Sequence, residues 1–199
     1  MLARVRGILS RYATEPLARI LARTGITPNT LTLLGFLLSL IVAWVLAQGH
    51  LFLGGFLVII SSGFDLLDGA LARVTGRVTA FGAILDSTLD RFAEAALLFG
   101  LSVFYLGQYR VTEVVLIYLV LVGSLAVSYV RARAEGLGLK CEVGFLARPE
   151  RVIILALGLI FNQVLIALWI LAVLTHVTVG QRLYHLWRET HKAGPPGQG

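Results

Sequence analysis

Residues 61–94 read SSGFDLLDGALARVTGRVTAFGAILDSTLDRFAE, and the fold follows from how this stretch is placed. It holds five of the chain's eleven acidic residues, yet long apolar runs flank it on both sides. Asp65 and Asp68 stand at i and i+3, Asp86 and Asp90 at i and i+4, so each pair shares one face of a helix. The short loop 74–78 between them predicts two antiparallel helices that bring four carboxylates to one depth. Four like charges at the edge of a low-dielectric layer repel strongly and call for cations between them. A purely oxygen donor set favours Mg²⁺ or Mn²⁺ over zinc. Gly69 and Gly82 fall beside the pairs, where a missing side chain lets a helix or a ligand phosphate come close. A buried structural network with Arg73 and Arg91 is the competing account, but four carboxylates outnumber two arginines.

The surroundings of this stretch define an all-α membrane protein. Of 199 residues, 57% are hydrophobic and only 14% charged, against about 25% charged in soluble domains. A spanning helix needs about 20 mostly apolar residues. The uncharged run from Thr24 to Phe64, broken at Gln48-Gly49-His50, supplies spans near 30–47 and 51–67. Further spans are expected near 79–106 and 113–130. The apolar stretch 152–181 is too long for one crossing and is divided at Asn162-Gln163 into a short fifth span and a sixth from about 164 to 183. Six spans leave only Arg110, of 17 basic residues, on the outer face. The positive-inside rule then puts both termini and the aspartates on the cytoplasmic side of the cell membrane. No cleavable signal peptide is expected. Residues 1–26, rich in arginine and aliphatic residues, read as an amphipathic helix lying on the membrane surface, broken near Glu15-Pro16. Residues 27–190 form the six-helix domain, and 191–199 a tail disordered by composition.

The net charge of +6 implies anionic headgroups and phosphorylated substrates rather than nucleic acid, because most basic residues flank apolar spans. Cys141 reads as a free thiol in a loop, and His176, His185 and His191 as packing or interfacial residues. Glu113 and Arg110 are expected to be solvated on the outer face. Gly35, Gly54 and Gly55 suggest close helix contacts within one subunit or in a homodimer.

The full string, Asp65-x2-Asp68-Gly69-x2-Ala72-Arg73-x8-Gly82-x3-Asp86-x3-Asp90, resembles the signature of the CDP-alcohol phosphotransferase family at all eight positions. The resemblance extends to the six spans, the N-terminal helix and Thr27-Pro28-Asn29 ahead of the first span. It implies a site for two metal ions, with Asp65, Asp68 and Asp86 as ligands. Asp90 would complete the metal site and take the acceptor hydroxyl's proton as catalytic base. Asn29, Thr32, Gly69, Ala72, Arg73, Thr79 and Gly82, with Asp65 and Asp68, would bind the CDP-lipid, with Arg73 near a phosphate. The chemistry agrees, since attack on a diphosphate needs charge neutralisation and a base, which paired metals and an aspartate on the open side supply.

A second basic cluster, SYVRARAE at 128–135 with GFLARPER at 144–151, resembles the inositol-phosphate branch of the family. It implies transfer of a phosphatidyl group from CDP-diacylglycerol to inositol 1-phosphate, releasing CMP, with Arg131, Arg148 and Arg151 holding the acceptor's phosphate. Lysine is common at the position of Arg131 in some members, and Ala147 stands where glutamate is common. Glycerol 3-phosphate, inositol or serine as acceptor, or CDP-archaeol as donor, are the alternatives. An ion-coupled transporter would place its acids near the bilayer midplane, and an intramembrane prenyltransferase would carry two separate aspartate-rich motifs.

Overall fold

The computed structural model describes residues 14–192, and among these all regular structure is helical. The part of the surface helix expected before residue 14, and the tail from 193 onward, lie outside the described residues. Helix α1 covers residues 14–22 and includes both Glu15 and Pro16, so the break expected there is not seen among the described residues. It is followed by α2 (Pro28–Ala47), α3 (Leu51–Val74), α4 (Ala80–Gly107), α5 (Val111–Gly136), α6 (Arg148–Ile160) and α7 (Val164–Lys192). The chain divides into two compact units, Met1–Leu101 and Ser102–Gly199, with the boundary inside α4.

In the first unit, Thr27 caps α2 by accepting a hydrogen bond from the Thr30 amide (3.2 Å), and Pro28 occupies the first turn, where no backbone N–H is missed. α2 and α3 pack side by side where glycine removes bulk. A Cβ at Gly35 would lie 3.1 Å from Phe64 Cβ, and one at Gly54 would strike the Leu46 side chain. α4 meets α2 through Gly100, where a Cβ would collide with the Ala43 backbone carbonyl. Below the acidic pairs, Ala18 of α1 is buried with Leu31, Ala70 and Leu71, and Leu21, Ala22 and Phe64 pack against them. Leu17 and Ile20 of α1 face outward, so the helix presents two apolar sides.

In the second unit, α5 and α7 approach through Gly123, whose Cβ would strike Thr175, and α6 and α7 through Gly158 against Ala167. Arg182 of α7 is only 5% exposed. Its Nε donates to the Val143 carbonyl (3.0 Å) and its Nη1 to that of Val127. This cation therefore ties the loop after α5 to both long helices. Glu113 is a correction to the expected solvated residue, since it is 3% exposed. Arg110 Nε donates to its carboxylate at 2.8 Å, and that pairing three residues before it permits the burial. Cys141 is free and buried.

Three helix-to-helix turns are built alike. Residues 48–50, 108–110 and 161–163 each join two helices. The middle residue is left-handed in each: Gly49 (φ 85°), Tyr109 (φ 59°) and Asn162 (φ 53°). In each, that residue's amide and the next one's bond back to the ending helix, as in Gly49→Leu46 (2.9 Å) and His50→Val45 (3.3 Å). The break expected at Asn162-Gln163 falls on the third of them.

Among the described residues four helices, α2, α3, α5 and α7, are long and apolar enough to cross a membrane. Their outward surfaces carry Ile41, Trp44, Phe52, Ile60, Tyr118 and Trp169, the reverse of a soluble fold. α4 is long but carries Asp86, Asp90, Arg91 and Glu94, and α6 has only 13 residues.

The contact at Gly100 is testable. Gly100→Ala forces the α2 backbone to shift and is expected to cost about 1–3 kcal/mol, read as a lower thermal midpoint in detergent. Gly63→Ala, with open space around it, is expected to leave the midpoint unchanged or raise it.

Candidate active site

The last three turns of α3 carry Asp65, Asp68, Gly69, Ala72 and Arg73 at i, i+3, i+4, i+7 and i+8, one continuous helical face. The start of α4 repeats the pattern with Gly82, Ala83, Asp86 and Asp90. Thr79 precedes α4, and its Oγ1 accepts from the Gly82 amide at 2.9 Å, capping the helix. The first turn of α2 adds Pro28, Asn29 and Thr32.

These segments of the first unit surround a cavity of about 360 Å³. Its lining contains Asn29, Thr32, Asp68, Gly69, Ala72, Arg73, Thr79, Gly82 and Asp86. Of the residues expected to hold the metals and the CDP-lipid, two lie outside that lining. Asp65 turns toward α2, its Oδ1 3.6 Å from where a Cβ on Gly35 would stand, and Asp90 lies one turn beyond Asp86 along α4. Val78, Ala83 and Arg77 line the cavity without having been singled out in the sequence. For Arg77 the available signal was its position four residues after Arg73.

Asp68 is the buried anchor, 4% exposed. Thr32 Oγ1 lies 2.7 Å from its Oδ2 and 3.1 Å from the Pro28 carbonyl. A hydroxyl has one proton, and the shorter, charge-assisted bond to the carboxylate is the stronger claim on it. Asp65 and Asp86 are both near enough to act on Asp68 by charge repulsion. Asp65, Asp86 and Asp90 each have an interaction partner within the chain. Among the described residues, no three Asp, Glu, His or Cys side chains already stand together as a metal-holding group. The donor set, carboxylate oxygens from two helices on a shared cavity, is nevertheless of the kind that Mg²⁺ or Mn²⁺ takes.

Glycine keeps the cavity open. A Cβ at Gly82 would come within 3.0 Å of Thr79 Oγ1 and 3.1 Å of Asn29 Oδ1, and one at Gly69 within 3.4 Å of Arg73 Nη1. The Arg73 guanidinium thus lies over Gly69, at the rim.

In the second unit, Arg131 donates from Nε to Glu135 Oε1 (2.8 Å) and is half-exposed. Arg148 and Arg151 occupy the first turn of α6, with Arg151 buried, and each has a partner within the chain. Arg131, Arg151 and Glu135 all act electrostatically on Arg182, which sequence reasoning had counted only as a topological charge. A cation closing an apolar run of 30 residues was the signal for it. His176 makes an in-helix contact to the Ala172 carbonyl (2.8 Å), as expected of a packing residue.

A family model described as CDP-alcohol phosphatidyltransferase matches residues 25–180. The phosphatidylinositol phosphate synthase of Mycobacteroides abscessus is 42% identical over 191 residues, covering 89% of this chain and 87% of that protein. The archaetidylinositol phosphate synthase of Pyrococcus horikoshii is 40% identical over 185 residues, covering 92% and 95%. The crystal structure of the Mycobacterium tuberculosis phosphatidylinositol phosphate synthase with CDP-DAG bound superposes with a TM-score of 0.81 at 38% identity, covering 87% of this chain and 93% of that one. The same enzyme in complex with manganese and citrate gives a TM-score of 0.80 at 38% identity, covering 87% and 88%.

Thr32→Val removes only the hydroxyl that satisfies Asp68. It is expected to destabilise the protein by about 1–3 kcal/mol, as thermal unfolding in detergent reads, while Thr32→Ser retains most of the stability.

Proposed function

The chain belongs to the CDP-alcohol phosphatidyltransferase family, and from that premise we propose that it transfers a phosphatidyl group from CDP-diacylglycerol to inositol 1-phosphate. The products are phosphatidylinositol phosphate and CMP, and the reaction is a step of phospholipid synthesis. One observation carries this reading. Family-signature residues from α3 and α4, together with Asn29 and Thr32 of α2, line a single cavity of about 360 Å³. Relatives at 40–42% identity over nearly the whole chain use an inositol phosphate product name in both a bacterial and an archaeal form, which supports the acceptor. The archaeal relative makes CDP-archaeol the alternative donor.

In this reading Asp65, Asp68, Asp86 and Asp90 hold two Mg²⁺ or Mn²⁺ ions, and the manganese complex of the mycobacterial enzyme supports the choice. Asp68 and Asp86 face the cavity already, and Asp65 and Asp90, on the same helix faces, reach it by side-chain rotation. The bound ions supply neutralisation of the diphosphate and of the leaving CMP. The chain's own groups do the rest. Gly69, Gly82, Ala72, Asn29 and Thr79 admit the nucleotide against backbone, and Arg73 pairs with a phosphate. Arg131, Arg148 and Arg151 hold the phosphate of the acceptor. The acceptor hydroxyl oxygen attacks the phosphorus that carries the diacylglycerol, the bond from that phosphorus to the bridging oxygen breaks, and the oxygen departs with CMP. Asp90 receives the hydroxyl proton.

The same proposal places α2 through α7 across the cell membrane as six spans, with α1 at the surface and both termini and the site cytoplasmic. Turns of three residues support it. If α5 and α7 each cross, the chain before each turn returns: α4 before α5, and before α7 the loop 137–147 together with α6, which at 13 residues is about 20 Å long. Pairing of two copies in the bilayer belongs to this reading as well.

The test is an acceptor screen on the purified enzyme with CDP-diacylglycerol and Mg²⁺ or Mn²⁺. CMP release is expected with inositol 1-phosphate and to be lost on adding EDTA; release with inositol, glycerol 3-phosphate or serine instead would reassign the acceptor, and none with any alcohol would remove the transferase reading. Asp90→Asn is expected to lower turnover by about 10²–10⁴-fold while CDP-lipid binding persists. Near-normal turnover would take the base assignment away from Asp90.

A further inference from the structure

The cavity is acidic on one side and basic at its mouth. Asp68 and Asp86 line it, while Arg73 and Arg77 are both exposed at its rim. The position of Arg77 is set by the way α3 ends. Gly76 is left-handed (φ 65°), its amide bonds to the Arg73 carbonyl (3.4 Å), and the Arg77 amide bonds to the Ala72 carbonyl (3.0 Å). This double closure is a Schellman cap with Arg77 as its final residue. Arg77 is therefore tied to Ala72, which lines the same cavity, rather than carried on a loose loop.

The cap also removes the usual structural use of a cation at this place. Three of the last four carbonyls of α3 are already taken, Leu71 by the amide and hydroxyl of Thr75 (2.9 and 2.7 Å), Ala72 by Arg77 and Arg73 by Gly76. Among the described residues the Arg77 side chain makes no hydrogen bond or ion pair. A guanidinium with its backbone position fixed, five donors and no bonded partner, at the mouth of a cavity read as a nucleotide site, is suited to a phosphate.

We propose that Arg77 is a substrate-binding residue whose guanidinium holds the phosphate that leaves with cytidine. The inference rests on the CDP-lipid reading above and extends it by one residue and one specific phosphate. The choice of phosphate follows from depth. Arg77 lies beyond the end of α3, nine residues after Asp68, on the side away from the apolar body of the helix. The acyl chains of a CDP-lipid belong with that apolar body, so the nucleotide half is the half that faces Arg77. Arg73 and Arg77 together also offset the charge of Asp68 and Asp86, so that a dianionic leaving group meets a site of both signs.

The experiment compares wild type, Arg77→Ala and Arg77→Lys as full-length enzyme in mixed micelles, with CMP and cytidine as competing ligands. In Arg77→Ala the inhibition constant for CMP and the KM for CDP-diacylglycerol are each expected to rise roughly tenfold, with inhibition by cytidine and the KM for the acceptor unchanged. Arg77→Lys is expected to recover only part of the loss, because an ammonium lacks the fork. An unchanged CMP constant, or equal weakening of CMP and cytidine, overturns the proposal. A wild-type enzyme that binds neither CMP nor CDP-diacylglycerol would overturn the CDP-lipid reading itself, and this proposal with it.

Discussion

A carboxylate buried at the end of an apolar helix must be compensated, and at Asp68 the compensation comes from another helix. The Thr32 hydroxyl reaches across from α2 at 2.7 Å, so the site's deepest acid and the first helix pair specify one another. Everything else in the first unit follows from keeping that junction. Thr27 and Pro28 start α2 at the level that sets Thr32 opposite Asp68. Gly35 and Gly54 let the two helices touch closely enough for a short hydroxyl to span the gap. Small residues along the helix contact are thus part of the site's construction, although Gly35 and Gly54 do not line the cavity.

The two units handle charge differently. The first collects carboxylates on one cavity and balances them with arginines at the mouth. The second buries cations. Arg182 is satisfied by two backbone carbonyls, and Arg151 is enclosed in the first turn of α6. Carbonyl oxygens compensate an arginine without neutralising it, so the charge of Arg182 persists, whereas Arg131 is paired with Glu135. Under the proposed function, a region that keeps cationic charge would suit a phosphorylated acceptor.

Much of this was legible in the residues before any coordinates. Periodicity put Asp65 and Asp68 on one face and Asp86 and Asp90 on another, and the Gln48-Gly49-His50 and Asn162-Gln163 breaks fall at observed turns. What could not be read depends on side-chain direction and pairing. Helical spacing places Asp65 and Asp90 with their partners but does not say that one turns toward Gly35 and the other stands beyond the cavity lining. Glu113 looked solvated because an acid near an outer turn usually is, and only the arginine bonded to it explains its burial. Arg77 and Arg182 were visible as charges, but their use depends on which backbone carbonyls are already occupied, and a sequence does not display that.

The three similar turns at 48–50, 108–110 and 161–163 bear on how the chain is made. Three residues cannot bridge a bilayer, so in the proposed topology the two helices joined by such a turn must enter the membrane together as a loop. The charges dragged across near these turns are those of Arg110 and Glu113, three residues apart and bonded to each other. In that topology translocation would be kept cheap, and the chain would enter the membrane as a series of hairpins, with Gly100 and Gly123 left to join helices of different hairpins.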